Sequence, residues 1–348
     1  MRAPCARCLP PPGGDLWGAL GADLSRSGRG AHPLRGSANG AWDGSRSEGD
    51  APRRLRYERA MGRGELIDTP GWIRLLAKGL VPRAERARFE RMLAEERRAF
   101  ERSHGYDVFG AHPDGAAVAH FVTGFLYERW FRVRSEGHEH IPAEGPVIVA
   151  ANHSGTLPFD AMMIFADLLR RTDPPRLPRA IADSFVAGLP FVGLLFARAG
   201  VVGGARRNVE YLLEEGELLL LFPEGVPGIS KRFADRYRLQ DWRGGHVELA
   251  MKYGATIVPA ALVGAEEQMP QLGRVPVSVF GAPFLPVPAT PLPLPVRYHL
   301  AYGPPIRFAA DPVGADDPER IEAGAAAVKA AVQGLVDDLL ERRSGVFR

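Results

Sequence analysis

Apolar positions along the chain fall into recurring patterns, and each pattern predicts its own element. Mostly apolar runs without alternation occur at Val147–Ala151, Arg179–Ala182, Leu218–Phe222, Thr256–Val263, Val277–Phe280 and Tyr298–Tyr302. They read as strands, because a strand covered on both faces needs no polar side. Between them Asp160–Arg171, Arg206–Glu215 and Arg243–Tyr253 read as helices. Strands and helices alternate over roughly residues 133 to 305, so the fold class is α/β, a mixed and mostly parallel sheet flanked by helices. A last helix starts at Asp317 as cap with Pro318 in its first turn, and Ile321, Val328, Val332, Leu335 and Leu339 form one stripe along it.

The other patterns lie outside this alternation. Arg83–Arg102 has helical spacing, with Phe89, Met92, Leu93 and Phe100 on one side and Arg and Glu on the other. Such a helix either packs on the domain or lies on anionic lipid. Val118–Phe131, with Phe121, Phe125, Tyr127, Trp130 and Phe131, predicts a helix that covers the sheet, with lipid as a further contact. Pro283–Pro295 holds six prolines among Leu, Val and Phe, which predicts an irregular apolar segment. It must pack down or meet something apolar. Residues 1–55 are Gly, Pro, Ser, Arg and Ala without periodicity and are expected to be disordered. The expected organisation is therefore a disordered extension over 1–55, a helical segment over 56–132 and the main domain over 133–345.

Composition narrows the partners. A chain of 348 residues, 45% hydrophobic, can bury a full core. Its formal net charge of +3 is too small to argue for nucleic acid. The only cysteines, Cys5 and Cys8, build no disulfide framework, which fits a reducing cytoplasm. The best candidate for a membrane span, Phe185–Ala197, contains Pro190, meets Arg198 and falls short of the roughly 20 residues a span needs. No leader pattern marks the first thirty residues. The expected location is cytoplasmic, with a membrane surface open as a partner.

Candidate chemistry gathers at two strand ends. His153 follows the apolar run Val147–Ala151, and Asp160 opens the next helix. Open α/β sheets place ligands beyond the carboxyl ends of strands. The turn through Ser154-Gly155 and Pro158 allows Asp160 to accept the imidazole Nδ1–H, which would leave Nε2 as a general base. No G-x-S-x-G elbow is present, so the attacking hydroxyl is expected from a substrate. At the second strand end stand Phe222, Pro223, Glu224 and Gly225. Glu224 reads as an acceptor of substrate hydroxyls, a helix cap or an ion-pair partner. Arg206 and Arg207, after Gly203-Gly204, form a candidate anion cradle. Lys231, Arg236 and Arg238 supply cations that either meet phosphate or face solvent. The cluster His138-Glu139-His140 is the one candidate for a metal, and no metal is expected.

These blocks, in this order, resemble the glycerolipid acyltransferase family, typified by lysophosphatidic acid acyltransferases. The resemblance rests on Gly137-x-Glu139-x-Ile141-Pro142, Asn152-His153 with Asp160, Phe196-Ala197-Arg198 with Gly200, Phe222-Pro223-Glu224-Gly225 and Ile257-Val258-Pro259. It implies transfer of an acyl group from acyl-coenzyme A or acyl carrier protein, a co-substrate and not a bound cofactor, to a lipid hydroxyl. It further implies His153 as base, Asp160 as its orienting partner, Arg198 and Glu224-Gly225 at the acceptor, and Pro259 near the donor. Six residues separate His153 from Asp160 where the family usually has four, a spacing similar to the branch near mono- and diacylglycerol acyltransferases. A thioesterase on the same scaffold and a non-catalytic lipid-binding protein are the alternatives.

Overall fold

The computed structural model describes residues 71–84, 87, 89, 106–154, 157–187, 189, 191–277 and 284–347. Its strands are β1 (Arg134–Glu136), β2 (Val147–Ala151), β3 (Pro178–Ala182), β4 (Val202–Gly203), β5 (Leu218–Leu221), β6 (Thr256–Val263), β7 (Gln271–Val275), β8 (Leu285–Pro288), β9 (His299–Tyr302) and β10 (Ile306–Arg307). Helices of two turns or more are α1 (Gly71–Leu80), α2 (Pro113–Phe125), α3 (Phe159–Arg171), α4 (Val192–Ala199), α5 (Arg206–Glu214), α6 (Gly245–Tyr253) and α7 (Pro318–Arg342).

The main sheet runs β1-β9-β6-β2-β5-β3-β4, with β10 also on β6. Strands β6, β2, β5, β3 and β4 are mutually parallel, while β9 and β10 run antiparallel to β6. All five residues of β2 are buried, because helices cover both faces. Val147, Val149 and Ala151 point into the core shared with α2 and α3, and Ile148 and Ala150 into the core shared with α5 and α6. The β2–α3–β3 connection thus lies on one face and steps past β5. The β5–α6–β6 connection lies on the other and steps past β2. Where neighbouring strands send the chain in opposite directions, a crevice opens beyond their carboxyl ends.

Pro259 occupies a central strand without breaking it. Ile257, two residues before it, pairs with β10 and Ala260, the next residue, with β9, so its missing N–H falls where one partner hands over to the next. Its carbonyl accepts from Gly303 N at 2.8 Å. On the other face buried Asp167 of α3 accepts from Tyr127 and Tyr302 hydroxyls at 2.5 and 2.9 Å, joining the extension of α2, α3 and β9. Burial, together with the Asp167 charge, pushes the Tyr127 phenol up to about 12.

Several expectations are corrected. The helix expected at Val118–Phe131 begins at Pro113, and it is Ala116, Ala117 and Tyr127 that face the core, with Phe131 beyond it. Phe121 and Phe125 face outward, because small residues let α2 approach α3 and α4 closely. Pro283–Pro295 is not wholly irregular: Leu285–Pro288 forms an edge strand against β7, where a missing N–H is tolerated. The strand expected at Val277–Phe280 is largely outside the described residues, and Val277 itself follows the end of β7. Residues 1–55 and most of Arg83–Arg102 also lie outside them. Among the described residues no helix is long and apolar enough to cross a membrane.

α6 carries a buried histidine. His246 packs edge-on to Trp242, and its Nδ1–H donates to Arg243 O at 2.8 Å. Burial lowers its pKa from 6.5 to about 4. The unfolded chain therefore binds a proton that the folded chain refuses, and stability is lost as pH falls from above 6.5 toward 4. Urea denaturation should show His246 contributing a loss of about 2 kcal/mol between pH 7.5 and pH 5. A His246→Gln variant should lack that part of the slope, and an unchanged slope would contradict the burial.

Candidate active site

The two strand ends that flank the crevice carry the site. β2 ends at Ala151, and Asn152 then turns its amide onto β6: Nδ2 donates to Leu262 O at 3.0 Å and Oδ1 accepts from Leu262 N at 2.8 Å. This buried side chain extends the β2–β6 pairing past its last backbone rung. His153 leaves the sheet from that fixed point. Asp160, in the first turn of α3, comes back to it with no exposed surface. Its Oδ2 accepts His153 Nδ1–H at 2.6 Å and Ser154 N–H at 2.8 Å, while Oδ1 accepts from Ala161 N at 2.7 Å. Three donors make the carboxylate a rigid acceptor, which holds the imidazole with Nδ1 toward Asp160 and leaves Nε2 outside that bond. The ring keeps 18% of its side-chain surface exposed. Phe222, one residue past β5, stacks on it at 4.2 Å between centroids.

Glu224 completes the connection between the two ends. It is buried, and both oxygens are engaged: Oε1 accepts the backbone N–H of His153 at 3.0 Å, and Oε2 accepts from Gln240 N at 2.8 Å. Lys231 lies between Glu224 and Glu266, with Nζ 3.5 and 2.8 Å from their oxygens and almost no exposed surface. Burial, offset in part by Lys231, raises Glu266 above the usual carboxylate range. Glu266 also accepts from Tyr237 N at 2.6 Å. Tyr237 in turn accepts from Gly264 N at 3.0 Å through its hydroxyl and from Gln333 of α7 through its carbonyl. The segment that follows β5 is therefore tied through charged side chains to the segment after β6 and through the Gln333 amide to α7.

Two glycines make this geometry reachable. Gly225 stands at φ 58° and ψ −145°, a state that glycine alone takes without strain. Gly228, in the one-turn helix Val226–Ile229, approaches so closely that an added Cβ would lie 2.8 Å from His153 Cβ and 3.0 Å from Glu224 Cβ.

The structure thus brings together His153, Asp160, Phe222, Pro223, Glu224, Gly225 and Lys231. Glu224 acts there on the histidine backbone and is not presented to an acceptor, and Lys231 answers two carboxylates and not solvent or phosphate. Arg198, expected at the acceptor, is buried: its guanidinium donates to Gly110 O at 2.8 Å and lies over the Tyr106 ring. It fastens a loop that Asp107 holds to β3 through a 2.5 Å ion pair with Arg179. Arg206, expected in an anion cradle, pairs with Glu248 and with Glu210 at 3.0 Å, while Arg207 is exposed on α5. Pro259 is buried within β6, beside Ala150 of β2. Sequence reading assigned nothing to Asn152, Gly228 or Glu266. Asn152 stood inside a quoted block, but its work depends on β6, more than a hundred residues away.

Comparison with known proteins bears on this arrangement. The family model described as Acyltransferase matches residues 132–263. An uncharacterised protein of Mycobacterium tuberculosis is 36% identical over 258 residues, covering 70% of this chain and 72% of that one. A Bos taurus protein described as a DGAT1/2-independent enzyme synthesizing storage lipids is 28% identical over 215 residues, 60% of each chain. Among solved structures, the 1-acyl-sn-glycerophosphate (LPA) acyltransferase PlsC of Thermotoga maritima has a TM-score of 0.47 at 18% identity, covering 84% of this chain and 100% of that one.

Gly228→Ala should test the close approach. The methyl group forces the one-turn helix away from His153, and thermal or urea denaturation should show a loss of about 1–3 kcal/mol. A variant as stable as the parent would mean that the two segments are not in contact.

Proposed function

Because this chain belongs to the glycerolipid acyltransferase family, we propose that it moves a fatty acyl group from acyl-coenzyme A or acyl carrier protein to the hydroxyl of a glycerolipid or lysophospholipid. The observation that carries this reading is the 2.6 Å hydrogen bond between His153 Nδ1 and buried Asp160, on a ring partly open to the crevice. An alcohol is far too weak an acid to lose its proton outright to an imidazole with an ordinary pKa of about 6.5. The proton instead passes to Nε2 as the alcohol oxygen attacks the thioester carbonyl carbon. Collapse of the tetrahedral species breaks the carbon–sulfur bond. The imidazolium, steadied by Asp160, returns the proton to the leaving thiolate, and an ester and a free thiol result.

No covalent intermediate on the protein is required. Ser154, which follows His153 in the chain, is fully buried, and its backbone N–H serves Asp160. General-base help contributes roughly 10² to 10⁴-fold, so the rest of the acceleration comes from holding the two substrates in line. Here the fixed backbone of His153, held by Glu224 on one side and by Asn152 through β6 on the other, supports such alignment. Both substrates are lipids or carry one. In this reading the enzyme therefore works peripherally, at the inner face of a membrane, where thioester donors made in the cytoplasm meet their acceptors. The description of the Bos taurus relative as synthesizing storage lipids supports including uncharged acylglycerols among the acceptors.

Purified protein supplied with a labelled acyl-thioester and a panel of lysophospholipids, monoacylglycerol and diacylglycerol should give an acceptor-dependent ester identifiable by mass. His153→Ala should lower its turnover by about 10²-fold or more with the fold intact by circular dichroism. Free fatty acid without acceptor-dependent product would make the protein a thioesterase. Unchanged transfer by the variant would remove His153 from the mechanism.

A further inference from the structure

Residues 269–296 hold no Asp, Glu, Lys or His and a single arginine, Arg274. In the fold this stretch supplies β7, β8 and the return segment to β9. The two strands form a sheet of their own, with no third strand among the described residues. Their register places Val275 opposite Leu285 and Gly273 opposite Val287, so one face of the hairpin is entirely apolar. It is also open to solvent, with Leu285 at 49%; Leu272, at the irregularity within β7, is 74% exposed, and Leu292, beyond β8, is 70% exposed. A two-stranded sheet is marginal in water, and an exposed apolar surface of this extent marks a contact.

The patch continues onto the helical layer. The Trp130 indole N–H donates to Pro293 O at 3.2 Å, and the Trp130 ring meets Phe125, which is 60% exposed on α2 beside outward-facing Phe121 and Val122. On the other side of Trp130, Phe131 packs edge-on against Phe159, the residue before Asp160. Apolar contacts thus run from the segment after β8 to the helix start that holds Asp160.

Charge along the patch says what covers it. Arg132 donates to Trp130 O and to Pro295 O at 2.9 and 2.8 Å, Arg134 is exposed on β1, and Arg297 follows the apolar stretch. Among the described residues none of the three has a carboxylate partner. Arg297 is held below the usual arginine value, first by burial and then by the positive charges of Arg134 and Arg132. Arginines that repel one another beside a carboxylate-free apolar face match a surface of anionic headgroups over hydrocarbon.

We propose that the β7–β8 hairpin face, the Leu292 segment and the outer face of α2 dock on an anionic lipid bilayer, with Arg132, Arg134 and Arg297 on the headgroup phosphates. The proposal rests on the membrane-peripheral reading above and names the face that would perform it.

The test is co-sedimentation of the full chain with vesicles of equimolar phosphatidylglycerol and phosphatidylcholine, and with vesicles of phosphatidylcholine alone. The parent should bind the anionic vesicles, and added salt should weaken the binding. Val275→Glu with Leu285→Glu should lower the affinity by about tenfold or more, and Arg134→Gln by about fivefold. Acyl transfer between a short-chain thioester and a monomeric, water-soluble acceptor should be unchanged in all variants, with melting temperatures as controls. That soluble assay separates the two ideas: its failure in the parent strikes the proposed reaction, and unchanged vesicle binding by the hairpin variant overturns the docking face. The proposal would equally fall if the parent ignored anionic vesicles, or if the hairpin variant only turned a dimer into a monomer in analytical ultracentrifugation, which would assign the face to a second copy of the chain.

Discussion

Parallel pairing of β2 with β5 on one side and β6 on the other decides where every chemical group of the site stands. Register matters because side chains alternate with a period of two, so a slip of one residue would exchange the two cores and turn Ala151 and Asn152 the wrong way. With the register kept, Ala151 pairs with Ala260, and the side chain of Asn152 reaches on to Leu262, whose backbone groups it satisfies with both ends of its amide. The same pairing sets Phe222 and Glu224, just past the end of β5, against His153, just past the end of β2.

Buried charge provides the second constraint. Glu224, Lys231 and Glu266 form a chain of charges with almost no exposure, an arrangement that stabilises little by itself because desolvation offsets most of the attraction. Its effect is positional. Removing one member would leave another buried without its partner, so the arrangement holds the segment after β5 in a single place. The His153–Asp160 pair is built on the same logic: a carboxylate with three donors cannot turn away from the imidazole without leaving those donors unpaired.

The spacing between His153 and Asp160 is easier to understand with this in view. Two residues beyond the family's usual number lengthen the turn, yet Phe159 N still closes on Leu157 O at 2.7 Å and Met162 N on Pro158 O at 3.0 Å, so α3 starts in time to present Asp160. The contact that matters is between side chains, and a proline-directed helix start absorbs the extra length.

By itself the sequence determined the strand and helix alternation, the α/β class and the segments that end in His153 and in Phe222–Gly225, because hydrophobic period and turn chemistry are local properties. The edge strand within Pro283–Pro295 was hidden by its prolines, whose edge-strand tolerance depends on which neighbour lies where. Cations were misread for a related reason. Arg198, Arg206 and Lys231 look alike as letters, and only tertiary structure could show that Gly110, Glu248, Glu224 and Glu266 meet them. Which faces of α2 turn outward was likewise a matter of packing, since Phe121 and Phe125 are as apolar as the core residues they resemble but larger than the gap between α2 and its neighbours allows. A chain carries its periodicities in its order of residues, whereas the partner that neutralises a charge or covers a face is chosen by contacts across a hundred positions.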